Sequence, residues 1–153
     1  MKKQFLVEDI SSLLKELKVD TEPAFGLMTS QHMVEHLIWI FKTSVKDHGQ
    51  PTGEPTKGQL WFKKFIANGA VLKHYPSDKT KADLPSLKYE SLERALVELP
   101  VAVKRFYDYF EANPTLIAYH PRMGSLSFEE LELFHYMHCR YHCWQFGLLE
   151  TYP

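Results

Sequence analysis

An all-α bundle, with four long helices and one short extra helix in a single domain over residues 1–153, is the fold this sequence predicts. Three observations predict it. Apolar residues recur at helical spacing in several long segments, capping residues stand where those segments begin, and no strand-like alternation of any length appears.

Gln4 to Lys18 reads as the first helix, with Phe5, Ile10, Leu13, Leu14 and Leu17 in its apolar stripe. Asp20 to Leu27 carries Pro23 and Gly26 and reads as a connection. The second helix starts at Thr29 or Ser30, either of which can cap it, and runs to about Asp47. Met33, His36, Leu37, Ile40 and Phe41 lie on its inward face. His48 to Gly58 is loop chemistry, rich in Gly and Pro. A shorter helix covers Gln59 to Ala67, with Trp61, Phe62 and Phe65 apolar. The least regular part is Gly69 to Leu87; a connection this long in a small bundle often covers a pocket mouth.

Ser91 to Ala112 reads as the third long helix. Leu92, Leu96, Leu99, Val103, Phe106 and Phe110 step by four and three alternately, the spacing of a bundle seam. Pro100 lies inside and should bend or split it, and Asn113-Pro114 stops it. Ser127-x-x-Glu130 is a capping box opening the last helix, in a segment with no Pro and one Gly up to Leu149.

Hydrophobic residues make up 44% of the chain and aromatics 14%, which suits a packed core and argues against disorder. With 18 basic and 19 acidic residues, the net charge of −1 gives no general pull on nucleic acid or an anionic membrane. The cluster Lys57, Lys63, Lys64 and Lys73 reads as a solvated surface. Glu8 and Asp9 interrupt the apolar stretch after Met1-Lys2-Lys3, so no secretory core is expected, and no stretch approaches the roughly 20 apolar residues of a membrane span. Two cysteines, four apart on one helix, are no disulfide framework, and a reducing cytoplasm is the expected location.

The chemistry-bearing run is His135, His138, Cys139, His142, Cys143, Gln145 on the last helix. His138 and His142 are one turn apart on one face, where two imidazoles can grip one divalent ion. In isolation such a pair is more often a hydrogen-bonded core pair. A third histidine, His36, on the apolar face of another helix favours the metal, because bundles build such sites from facing helices. Three histidines with one open position suit a catalytic rather than a structural ion. His32, one turn before His36, competes for the third position. His135, three before His138, is a candidate fourth ligand or supporting partner. Cys139 and Cys143 are each rotated by about 100° from the neighbouring histidine, so packing is their expected role. Gln145, three past His142, can orient a ligand, a bound water or substrate. Gln145, His135, His32 and Glu35 are the candidates for proton handling or orientation, and His120, in the turn before the last helix, is a candidate for the pocket rim.

Met28-Thr-Ser-Gln-His-Met-Val-Glu-His36-Leu, Asn113-Pro, His120-Pro-x-x-Gly124-x-Leu and Phe134-His-Tyr-x-His138-x-x-Tyr-His142-x-x-Gln145-Phe-Gly147 together resemble the DinB/YfiT-like superfamily, most closely its DUF1569-type branch. The likeness runs from the first helix to the C-terminus. It implies a four-helix bundle with a long crossover, often dimeric, and a zinc or nickel ion held by His36, His138 and His142. Characterised relatives include transferases and isomerases that use low-molecular-weight thiols. Two positions depart from the pattern: Cys143 stands where many relatives have Arg, and Met123 where Phe is usual.

The function expected is a metal-dependent enzyme acting on a small molecule, a thiol-dependent transferase or hydrolase, in a homodimer. The alternative is a non-catalytic dimeric bundle that binds a small ligand or a partner.

Overall fold

The computed structural model describes residues 1–151, and these fold as five helices and one small hairpin. Helix α1 is continuous through Lys2–Gln4, a wider π-type stretch Phe5–Asp9, and Ile10–Leu14. In the wide stretch the Ile10 N–H donates to the Phe5 carbonyl five residues back. That stacks Ile10 above Phe5, which a regular α-helix would place on different faces. Phe5, Leu6, Ile10 and Leu14 are all buried as a result. Leu6 was not in the expected stripe, and Leu13 is only partly buried.

Helix α2, Ser30–Ser44, opens on Thr29, whose side chain accepts from the His32 amide. It stops short of the predicted Asp47. The Ser44 hydroxyl donates back to the Ile40 carbonyl, and the His48 ring lies 3.1 Å from the Thr43 carbonyl, so side chains satisfy the groups a longer helix would use.

Helix α3, Lys57–Ala67, begins with a Thr56–Gln59 capping box. Gln59 also donates from Nε2 to the Pro121 carbonyl, which docks the hairpin onto this helix. Ile66 is buried, with Phe62 and Phe65 half-buried. Trp61, one of the apolar residues expected on this helix, is 63% exposed and stacks on Phe65.

The long connection carries only a 3-10 turn, Lys81–Asp83. Helix α4, Leu92–Ala112, is capped by Ser91 and passes unsplit through Pro100. Pro100 is exposed, where water can satisfy the carbonyl its missing N–H leaves free. Helices α2 and α4 form the most extensive helix pairing, with Phe41 edge-on to Phe106 at 5.7 Å.

No strand was expected, yet β1, Ala118–His120, and β2, Gly124–Leu126, pair antiparallel with His120 opposite Gly124. The three-residue loop Pro121 to Met123 ends on Gly124 at φ 81°, the left-handed position such hairpins require. A Cβ at Gly124 would also sit 3.1 Å from Gln59. Helix α5, Phe128–Gln145, opens on the Ser127–Glu130 capping box. It packs against α1, α2 and α3 and is buried on several faces. Gly147 at φ 71° ends it, with the amides of Phe146, Gly147 and Leu148 returned to the carbonyls of the last turn.

Candidate metal centre

The four-residue step on α5 stacks His138 and His142, and α2 delivers His36 opposite them. The Nε2 atoms of His36 and His138 lie 3.0 Å apart, and those of His138 and His142 3.1 Å apart. Ligand nitrogens about 2.0–2.1 Å from a tetrahedral ion stand about 3.3 Å from each other, so the spacing suits one ion. These three residues form a group that can hold a metal ion. His138 and His142 are buried and His36 is partly exposed, which sets the solvent side of the cluster at His36.

Electrostatics favour the ligand form. Burial lowers the His36 pKa. Burial, aided by the neighbouring histidines, pushes His138 well below its ordinary value, and burial with His36 brings His142 down to about 4. All three are therefore neutral near pH 7, and a neutral imidazole offers the lone pair an ion needs.

Aromatic rings hold the imidazoles in place. Phe134 lies flat against His138, with ring centroids 5.2 Å apart, and Trp39 stacks beside His36 at 6.3 Å. Phe62 meets Phe134 edge-on. Phe134 and Trp39 were missed as site residues, although they stand four and three positions from a ligand on the same helix.

Gln145 is at the site, its Oε1 2.7 Å from His142 Nδ1, while its Nε2 donates to the Phe25 carbonyl at 2.7 Å. Phe25 in turn packs between His74 and Trp144, so the irregular connection does reach this end of the cluster. No sequence signal marks Phe25; Gly26 is the only trace, since a Cβ there would lie 2.8 Å from Gln145 Nε2.

The remaining candidates are engaged elsewhere. His32 bonds its own helix cap, Thr29 Oγ1, through Nδ1 at 2.7 Å and the Pro85 carbonyl through Nε2 at 3.0 Å, so both nitrogens are occupied and Nε2 tethers the connection. The Glu35 carboxylate accepts from the amides of Lys88 and Tyr89 and from Gln31. His135 is fully buried, stacked on Phe41 at 4.0 Å with Nε2 2.9 Å from Ser44 Oγ, and burial lowers its pKa to about 3. His120 pairs with His48 beside the hairpin turn, and its Nδ1 accepts from the amides of Arg122 and Met123. Cys139 and Cys143 are free and buried. Burial raises Cys139 well above its ordinary pKa and Cys143 to about 12, so both remain protonated thiols packed in the core.

A cleft of about 670 Å³ lies away from the histidines, between the 51–56 loop, α3 and the hairpin. None of the described helices is long and apolar enough to cross a membrane. No family model, curated protein or solved structure matches the chain.

Proposed function

We propose that this chain is a divalent-metal-dependent enzyme of the DinB-like type, a four-helix bundle with a long crossover in which His36, His138 and His142 hold zinc or nickel. The observation that carries the reading is the convergence of three neutral imidazoles through Nε2, from two helices, with one ligand on the solvent side. Three nitrogen ligands leave an ion an open position. An ion held by these three residues would supply Lewis acidity able to activate a water or a low-molecular-weight thiol near neutral pH. The protein's own part is to orient the imidazoles through Gln145, Phe134 and Trp39. A small-molecule substrate, with a thiol co-substrate, fits that arrangement, and a cytoplasmic homodimer is the assembly the family resemblance suggests.

One observation favours a second reading, a non-catalytic ligand-binding bundle. Glu35, His32 and His135 are each committed to structural hydrogen bonds, so none of these three candidates is a free acid or base beside the cluster. Turnover of a low-molecular-weight thiol with an electrophile by metal-loaded protein, abolished in His142→Ala, supports the enzyme. Ligand-dependent stabilisation without turnover supports the binding protein.

A further inference from the structure

We infer that the Phe25–Gly26 turn, acting through Gln145, fixes the tautomer of His142, and that a metal ion enters the cluster by taking the place of one proton on His138 Nε2. The second half rests on the metal reading above; the first does not.

The direction of the Gln145 amide is set from outside the cluster. Its Nε2 donates to the Phe25 carbonyl at 2.7 Å, and the Ala24 amide donates to the main-chain carbonyl of Gln145 at 2.8 Å. Gly26, at φ 86°, lets the turn approach to where no side chain fits. With its donor end used, Gln145 presents Oε1 to His142, and an oxygen can only accept. His142 therefore carries its proton on Nδ1 and leaves Nε2 bare. Gln145 is a positioning residue in this sense: it selects the ligand form of His142 before any ion arrives.

That assignment constrains the other two. His138 Nε2 lies within hydrogen-bond distance of both His36 Nε2 and His142 Nε2. A proton on His36 instead would leave two bare nitrogens facing each other across 3.1 Å. A proton on His138 Nε2 faces two lone pairs and gives each of the three Nε2 atoms a partner. His138 Nδ1 is then a bare acceptor, and it is buried without a partner. A buried acceptor lacking a partner is better tolerated than a buried N–H lacking one. When an ion binds, His138 Nε2 gives its proton to solvent and Nδ1 takes one up, so His138 remains neutral and no net proton is released. His142 needs no such change. His142 is thus the ready-made ligand and His138 the one that must switch.

The test is long-range ¹H–¹⁵N NMR of the histidine rings in metal-free protein, before and after one equivalent of Zn²⁺. We expect His142 as the Nδ1–H form throughout, and His138 changing from Nε2–H to Nδ1–H on zinc addition. Gln145→Met should lose the His142 preference and weaken zinc binding about 10- to 100-fold, whereas Gln145→Glu, which keeps an acceptor oxygen, should retain the tautomer. His142 found as Nε2–H in the metal-free wild type would overturn the positioning role without recourse to any variant. The stated metal-free tautomers with no zinc binding would uphold that role and overturn the exchange step together with the metal reading.

Discussion

His36 and His138 are 102 positions apart in the chain, yet their Nε2 atoms meet at 3.0 Å. Nothing local holds them there. The contact exists because α5 is packed from several directions, and because α2 presents His36 one turn below buried Ile40. Three imidazole nitrogens brought together in this way can hold a metal ion.

Gly26→Ala tests the support behind His142. The new methyl must occupy a left-handed φ of 86° and lie 2.8 Å from Gln145 Nε2. Strain of this kind costs about 1–3 kcal/mol, and displacing Gln145 should also weaken zinc binding. Gly49→Ala is the control: its φ is 76° but no atom lies within 4 Å. Urea unfolding should show both variants destabilised, with only Gly26→Ala losing zinc affinity in a chelator competition.

Acid should destabilise the metal-free protein before most carboxylates titrate. Burial takes His135 from 6.5 to about 3 and His142 to about 4, so below pH 6.5 the unfolded chain takes up protons that the folded chain refuses. The stability these groups confer is complete above pH 6.5 and is lost as pH falls towards their folded values. Each such histidine removes about 2 kcal/mol between pH 8 and pH 5. Unfolding free energies measured across that range should drop accordingly, and His135→Phe should make the decline shallower by one histidine's share. An unchanged pH dependence in His135→Phe would refute the assignment.

The sequence carried the features that are local in origin. Ser127 and Glu130 cap α5 through neighbouring atoms, and the i, i+4 step places His138 under His142. What it did not reveal depends on distant partners or on elements too short for a pattern. Three-residue strands cannot display alternation, so the hairpin at Ala118–His120 was invisible. His32 resembled a ligand until Pro85, 53 residues away, engaged its Nε2. Pro100 left α4 whole because it faces solvent, a matter of which side the seam selects. The Thr56–Gln59 box was legible, and would have moved the start of α3 back to Lys57.

Glu35→Ala should release the connection rather than the metal. The carboxylate holds the Lys88 amide at 2.7 Å and the Tyr89 amide at 3.1 Å, bonds to a charged group worth about 1.5–3 kcal/mol each. Trypsin should cleave after Lys88 several-fold faster in the variant, with zinc content unchanged. Lost zinc with unaltered cleavage would move Glu35 into the metal site.

Cys139 and Cys143 should resist alkylation in the native protein and react only on unfolding, because burial keeps both as thiols. Mass spectrometry after brief iodoacetamide treatment, with and without urea, reads this directly. Rapid native labelling would show an open path to α5 that the packing denies.

The measurement that bears most directly on the metal centre is elemental analysis of untagged protein purified without chelators, beside a His36→Ala, His138→Ala double variant. The three-imidazole geometry predicts about one zinc or nickel per wild-type chain and almost none in the variant. Trace metal in both, at equal levels, would contradict it and leave the histidines as a buried polar cluster.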